Sequence, residues 1–117
     1  MKYVLLIYQG TTPLPGSERW QALSEAEQKQ IYADYQALNK APGVTPGLPL
    51  GLPSAARTVR VRNEAVQVTN GTYLAEGAGG YAVLEADNIE AAVALAARIP
   101  AARLGGAVEV RPAEQYW

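Results

Sequence analysis

The sequence contains no histidine and no cysteine among its 117 residues, and phenylalanine is absent as well. The lack of cysteine excludes disulfides and thiolate chemistry, and the lack of histidine removes the most usual general base and the commonest metal ligand. Serine nucleophiles lose their usual activating base for the same reason. Because the only aspartates are Asp34 and Asp87, a site of clustered carboxylates is not expected, and the sequence predicts neither a metal nor a cofactor.

The charge and hydropathy of the chain limit the kinds of partner that it is expected to bind. The net charge is -1 at pH 7, and there is no clustered excess of lysine and arginine, so nucleic acid is not a predicted partner. The apolar run at residues 1–8 has strand length, and nothing later reaches the roughly 18 apolar residues of a membrane span. We therefore expect a soluble, cytoplasmic protein with no membrane partner and one domain over residues 1–117.

With no phenylalanine, the aromatic bulk comes from seven tyrosines and two tryptophans. A tyrosine hydroxyl needs a hydrogen-bond partner when it is buried. Two interpretations stay open for these residues, namely ordinary half-exposed packing and the lining of a cavity with polar tips.

The first third of the chain predicts a strand, a loop and a helix. The apolar run Val4–Tyr8 indicates the strand, and the proline and glycine positions in residues 11–23 favour a loop that Trp20 anchors. Ser24 and Glu27 have capping-box spacing, so a helix is expected from there to about Lys40, with Asp34 solvated. The predicted buried stripe of this helix contains Ile31, Tyr32, Tyr35 and Leu38.

The middle of the chain predicts an irregular connection followed by a hairpin. Residues 41–53 hold four prolines and three glycines, a composition that argues against regular structure. Alternation over residues 57–68 predicts two strands joined at Asn63-Glu64, with valines on one face and arginines on the other. Water-facing arginines and a basic patch for a carboxylate or phosphate are both open. Asn70-Gly71 is expected to end the hairpin.

The last third predicts a strand, a helix and a closing strand. Residues 80–86 form the strand, Asp87 is the expected helix cap, and the helix continues to about Arg98, where Pro100 stops it. The predicted stripe of that helix is Ile89, Ala92, Val93, Ala96 and Ala97. The whole order indicates an α+β fold of the split βαβ kind, an antiparallel sheet with two helices on one face.

Several segments together resemble the DGPF family within the YCII-related superfamily, over nearly the full length. The matching segments are residues 1–8, Thr58–Arg62, Val68–Gly71, Gly79–Tyr81 and residues 97–103 leading to Arg111-Pro112. The resemblance implies a ferredoxin-like fold that pairs into a dimeric α-β barrel, with the sheets of two subunits packed together and a cleft between sheet and helices. A homodimer is therefore expected.

The chain departs from the family pattern at its naming motif. Where the family reads Asp-Gly-Pro-Phe, this sequence reads Asn70-Gly71-Thr72-Tyr73, so the signature carboxylate is an amide. An asparagine oxygen can still order a turn by accepting backbone amides, but it cannot act as a base. Superfamily members that resemble enzymes use a histidine with an aspartate, and a chain without histidine cannot carry out that mechanism.

The remaining candidates for chemistry are carboxylates and phenols. Glu76 lies in the altered loop, where partial burial would favour proton transfer, although a solvated loop glutamate is the plainer interpretation. The predicted catalytic residues are Glu76, Tyr73 and Tyr8, and the predicted substrate-binding residues are Tyr35, Asn70, Tyr32 and Trp20. Phenol hydroxyls of this kind can polarise a carbonyl or enolate oxygen. The glycines from Gly77 to Gly80 precede a strand, so they do not form a dinucleotide-binding loop.

Two classes of function remain. The first is a small-molecule pocket protein that acts as a cofactor-independent isomerase, lyase or cyclase on a hydrophobic or aromatic substrate. The second is a non-catalytic ligand-binding or regulatory module, which the resemblance also implies, since family members are similar to proteins found beside sigma factors.

Overall fold

The computed structural model describes residues 1–116 and consists of six strands and four helices with one additional 3-10 turn. The strands are β1 (Lys2–Tyr8), β2 (Val44–Pro46), β3 (Arg57–Arg62), β4 (Ala65–Asn70), β5 (Gly80–Glu85) and β6 (Ala107–Pro112). The helices are α1 (Glu18–Gln21), α2 (Glu25–Lys40), α3 (Ile89–Ala96) and α4 (Pro100–Arg103), and the 3-10 turn is Pro53–Ala55.

Four of the strands form an antiparallel sheet in the order β2-β5-β1-β6. In its centre Leu5 of β1 lies opposite Ala82 of β5 on one side and Val110 of β6 on the other. Since each helix connects two strands that are separated by a third, this is the split βαβ arrangement. The predicted ferredoxin-like α+β fold is confirmed.

The core lies between one face of this sheet and the helices. Leu5 and Ile7 alternate with half-buried residues along β1, so they share the face that the helices cover. Leu38 of α2 and Ala96 of α3 pack on that face together with Ile99, which precedes α4. Both long helices therefore lie on the same side of the sheet, as the sequence predicts.

Strand β2 lies in the segment for which the sequence predicts irregular structure. Val44–Pro46 pairs with β5, and the backbone amide of Gly47 continues the pairing with a bond of 3.1 Å to the carbonyl of Tyr81. Proline is tolerated in this position because β2 is an edge strand, whose outward amide needs no partner in the sheet. The prediction for residues 41–53 is wrong in this part.

The predicted hairpin exists, but it stands apart from the main sheet as β3 and β4 alone. Its turn residues Asn63 and Glu64 both have positive φ angles, as a two-residue hairpin turn requires, and Gly71 with φ +98° follows the end of β4. One face carries four exposed valines, opposite one another in pairs. They are Val59, Val61, Val66 and Val68, which we call the valine face.

The boundaries of α3 differ from the prediction at both ends. The cap is Asn88 and not Asp87, because the Asn88 Oδ1 accepts a hydrogen bond of 2.9 Å from the Ala91 amide. The helix ends at Ala96, and Pro100 begins the short helix α4, where a missing amide proton costs nothing. The predicted stripe is also partly wrong, since Ile89 and Val93 are exposed while Ala92 and Ala96 are buried.

Helix α2 begins with the predicted capping box, in which Ser24 and Glu27 exchange two hydrogen bonds of 3.1 Å. Asp34 on this helix is not simply solvated, because its carboxylate forms an ion pair with Arg103 of α4. The predicted loop before α2 contains the helical turn α1, and its Trp20 is buried as the expected anchor.

The chain is extended and thin. Its radius of gyration is 16.2 Å, whereas a compact domain of this length has about 13 Å. The smallest dimension is 18 Å, which accommodates two layers of secondary structure. Within residues 1–116, the sheet face that carries Val4, Leu6 and Tyr8 therefore has no covering layer.

No helix in the described part of the chain is both long and apolar enough to cross a membrane.

Candidate functional site

A cleft of about 300 Å³ lies between α2, the loop before it and the ends of β1 and β5. Its aromatic wall consists of Trp20, Tyr32 and Tyr35, with Ile31 and Leu38 beneath, and Tyr81 of β5 borders the cleft. Helix α2 presents Ile31, Tyr35 and Leu38 on one side because these positions are one and two turns apart. The opposite wall is the segment after β2, including Leu48 and Pro49.

Local contacts hold the aromatic side chains of the cleft in place. Ser17 caps α1 by accepting a hydrogen bond of 3.2 Å from the Trp20 amide, and the side-chain amide of Gln28 donates to the Trp20 carbonyl at 2.8 Å. The rings of Trp20 and Tyr32 meet edge to face, with centroids 5.2 Å apart and an interplanar angle of 72°. This arrangement is favourable for aromatic pairs and holds the two rings together in the wall of the cleft.

The segment after β2 is held against β5 by backbone hydrogen bonds. The amide of Leu50 donates to the carbonyl of Gly79 at 2.9 Å, three residues after the bond from Gly47 to Tyr81. Gly79 in turn donates to the carbonyl of Ile7 at 2.7 Å. The cleft wall is therefore tied to the two central strands.

Two polar groups meet inside this apolar cleft. Burial raises the pKa of the Tyr35 hydroxyl, while a hydrogen bond with the Gln9 side chain and the charge of Arg103 act in the opposite direction. The Gln9 Oε1 is buried and has no hydrogen-bond partner within the described chain. The side chain of Gln9 packs over Gly79, where an added Cβ would lie 2.6 Å from the Gln9 Cγ.

A second hollow of about 400 Å³ adjoins the cleft. It extends towards the 3-10 turn and the loop that contains Glu76. The two hollows share four residues, Gln9, Leu14, Pro49 and Gly79. Gln9 therefore stands at the partition between them.

The structure brings three of the seven predicted site residues together. Trp20, Tyr32 and Tyr35 all line the cleft, and Glu76 lines the neighbouring hollow. The clustering follows from the helical spacing of the two tyrosines and from the packing of Trp20 on Tyr32. Their roles in binding or catalysis stay predictions.

The other three predicted residues lie outside both hollows. Tyr8 alternates with Ile7 along β1 and therefore faces the uncovered side of the sheet. Tyr73 is exposed, and the guanidinium of Arg60 lies 5.7 Å from the centre of its ring. Asn70 is the last residue of β4, opposite Arg57.

Sequence reasoning missed Gln9 and Tyr81 as lining residues. Gln9 is the first polar residue after the apolar run of β1, a position that often marks the end of a buried strand. Tyr81 follows two glycines, which leave room for nearby chain to approach. Neither signal is specific enough to identify a site without the fold.

In the described residues no three carboxylates lie close enough together to hold a metal ion.

A comparison with curated proteins finds no match for this chain. The sequence model of the YCII-related domain matches residues 1–115, which is nearly the whole chain. The matched length and the split βαβ sheet agree, and the chain belongs to the YCII-related domain family.

Proposed function

We propose that the protein binds a small hydrophobic or aromatic molecule in the cleft beside α2, with residues 1–117 acting as one domain. The observation that carries this proposal is the aromatic wall of Trp20, Tyr32 and Tyr35 beside a volume of about 300 Å³. Small-molecule sites are commonly of this size, mostly apolar, with few polar groups that fix orientation.

The chemistry of Tyr35 supports recognition by hydrogen bonding. A tyrosine hydroxyl is protonated at neutral pH and can donate to a carbonyl or phenol oxygen, and burial raises the pKa of Tyr35 further. The flat rings around it supply contact area with little loss of side-chain entropy. A ligand with an aromatic ring and an oxygen atom at one edge fits these features.

A more specific proposal is that the protein catalyses a reaction on the bound molecule. A cofactor-independent isomerase, lyase or cyclase would use Glu76 as the proton carrier and tyrosine hydroxyls as polarising groups. Glu76 is exposed, however, and Tyr8 faces the uncovered side of the sheet, and these positions favour the second candidate. That candidate is a non-catalytic ligand-binding or regulatory module.

We also propose that the protein works as a homodimer. One chain exposes 8245 Å², whereas a folded monomer of this mass exposes about 6,200 Å². The excess of roughly 2,000 Å² exceeds the ~800 Å² that each partner buries in a standard interface. The uncovered sheet face and the valine face are the apolar surfaces that a second copy would cover.

The binding proposal is tested with a neutral aromatic probe. Calorimetric titration of the purified protein with 2-ethylnaphthalene is expected to show saturable binding. Tyr32→Ala is expected to weaken it about five-fold, because the ring forms part of the cleft wall with Trp20. Val93→Ala on the exposed side of α3 is the control and is expected to leave the affinity unchanged. A wild-type protein that does not bind the probe would contradict the proposal.

Chemistry and binding are separated by two further variants, Tyr73→Phe and Glu76→Gln. In a panel of aromatic substrates, loss of turnover with retained affinity supports an enzyme. The absence of turnover in the wild-type protein, with ligand binding intact, supports the binding module.

A further inference from the structure

The cleft and the second hollow are adjoining spaces with one polar side chain between them. We infer that they form a single two-lobed site, partitioned by Gln9, for a molecule that joins an aromatic or apolar end to a cationic amine. The inference rests on the proposed function and names the class of ligand for the same site.

The first argument comes from the hydrogen bonding of the Gln9 side chain. Its Oε1 is buried without a hydrogen-bond partner in the described chain, which is unfavourable for a strong acceptor. Because the Gln9 side chain also forms a hydrogen bond with Tyr35, its unpaired oxygen is the group left for a ligand at the partition. A ligand that donates a hydrogen bond at the partition would satisfy it.

The distribution of charge is the second argument. The described residues that line the cleft include no charged side chain, and among those that line the second hollow only Glu76 is charged. The charge of Arg103 acts on Tyr35, but Arg103 is paired with Asp34. An anionic ligand would therefore meet the carboxylate of Glu76, whereas an ammonium group would gain a partner of opposite sign there. The faces of aromatic rings also attract cations.

The shape of the space is the third argument. The lobes measure about 300 and 400 Å³, at the lower end of the range for small-molecule sites. The shared residues Leu14 and Pro49 are apolar, so the passage between the lobes favours a short hydrocarbon link. An arylalkylamine has this order of groups, with the ring at the aromatic wall and the amine near Glu76.

Three naphthalene probes of matched size test the ligand class by calorimetric titration. They are 2-ethylnaphthalene, which is neutral, 2-(2-naphthyl)ethylamine, which is cationic, and 2-naphthylacetate, which is anionic. We expect the amine to bind the wild-type protein about five-fold more tightly than the neutral probe, as for a partly exposed ion pair, and the anion to bind most weakly.

Two variants test which residues cause the preference for the amine probe. Glu76→Gln is expected to abolish the advantage of the amine while leaving the neutral probe unaffected, and Glu90→Gln on exposed α3 removes the same charge elsewhere as the control. Gln9→Met keeps the length of the side chain and removes the amide oxygen. It is expected to weaken the amine more than the neutral probe.

The outcomes separate the two proposals. If the neutral probe binds but the amine has no advantage, or if Glu76→Gln and Glu90→Gln act alike, the two-lobed amine site is wrong and the aromatic cleft stands. If none of the three probes binds, both proposals are wrong.

Discussion

Single residues decide the shape of the cleft, and Gly79 is the position where this is most easily measured. A methyl group there would lie 2.6 Å from the Gln9 Cγ, closer than packed carbon atoms allow, so Gln9 must move. We expect Gly79→Ala to lower the free energy of unfolding by about 1 kcal/mol, the low end of overpacking effects, because the obstructing atom belongs to a flexible side chain. Urea denaturation measures the change.

The neighbouring glycine supplies the control for this prediction. At Gly80 the nearest heavy atom to an added Cβ is the Ile7 Cδ1 at 3.9 Å, which is an ordinary contact. Gly80→Ala is expected to change the free energy of unfolding by less than about 0.5 kcal/mol. The double variant Gly79→Ala with Gln9→Ala should recover the loss, and a failure to recover it would show that Gln9 is not the obstruction.

Tyr35 gives a prediction about pH. Burial raises its pKa in the folded protein above the ordinary value of 10.0, so the unfolded chain releases this proton first. The contribution of Tyr35 to stability is therefore complete below about pH 10 and is lost as the pH rises through the folded-state pKa. We expect the urea midpoint of the wild type to fall more steeply above about pH 10 than that of Tyr35→Phe. Parallel curves would contradict the proposed burial effect.

At the residue scale, part of the candidate site was predictable from the sequence. Tyr32 and Tyr35 lie on the helix that the capping box predicts, but the predicted buried stripe is wrong at Tyr32, which is exposed, whereas Tyr35 is half-buried. Gln9 was not predictable, because its position at the partition depends on Gly79 and Pro49, which are far away in the sequence. Long-range neighbours of this kind require the sheet register.

Among the secondary-structure elements, helix α3 has two candidate N-cap residues, Asp87 and Asn88. The spacing of Asp87 and Glu90 predicts Asp87 as the cap, but the hydrogen bond to the Ala91 amide comes from Asn88. We expect Asn88→Ala to lower the free energy of unfolding by about 1 kcal/mol, the usual cost of losing a cap. Asp87→Ala, the matched control, should cost clearly less in the same denaturation experiment. The reverse order would restore the sequence prediction.

The secondary-structure elements show which parts of the fold can be predicted from local sequence patterns and which cannot. Helices α2 and α3, strands β1, β5 and β6 and the hairpin have periodic or punctuated sequences, and each was predicted in outline, whereas the short helices α1 and α4 were not. Strand β2 has only three residues between prolines and glycines, and it becomes a strand because β5 offers an edge to pair with. Pairing that depends on a distant strand leaves no periodic signal in so short a segment.

At the scale of the whole molecule, two apolar surfaces lack a covering layer within the described chain. The valine face lies on a hairpin that belongs to no larger sheet, and a two-stranded hairpin is marginally stable on its own. The sheet face with Leu6 and Tyr8 lacks a second layer within the described chain. Both surfaces would gain from burial against a second copy, which is the arrangement that the homodimer proposal requires.

The homodimer is tested by placing a charge on one face of the hairpin or the other. We expect the wild-type protein to sediment as a dimer at about 10 µM. Val68→Glu puts a carboxylate on the valine face and is expected to weaken the dimer at least about ten-fold, because the charge must be buried or the contact abandoned. Gln67→Glu puts the same group on the opposite face of β4 and should leave the dimer intact. Equal effects of the two variants would exclude the valine face from the interface, and a monomeric wild type would overturn the homodimer itself.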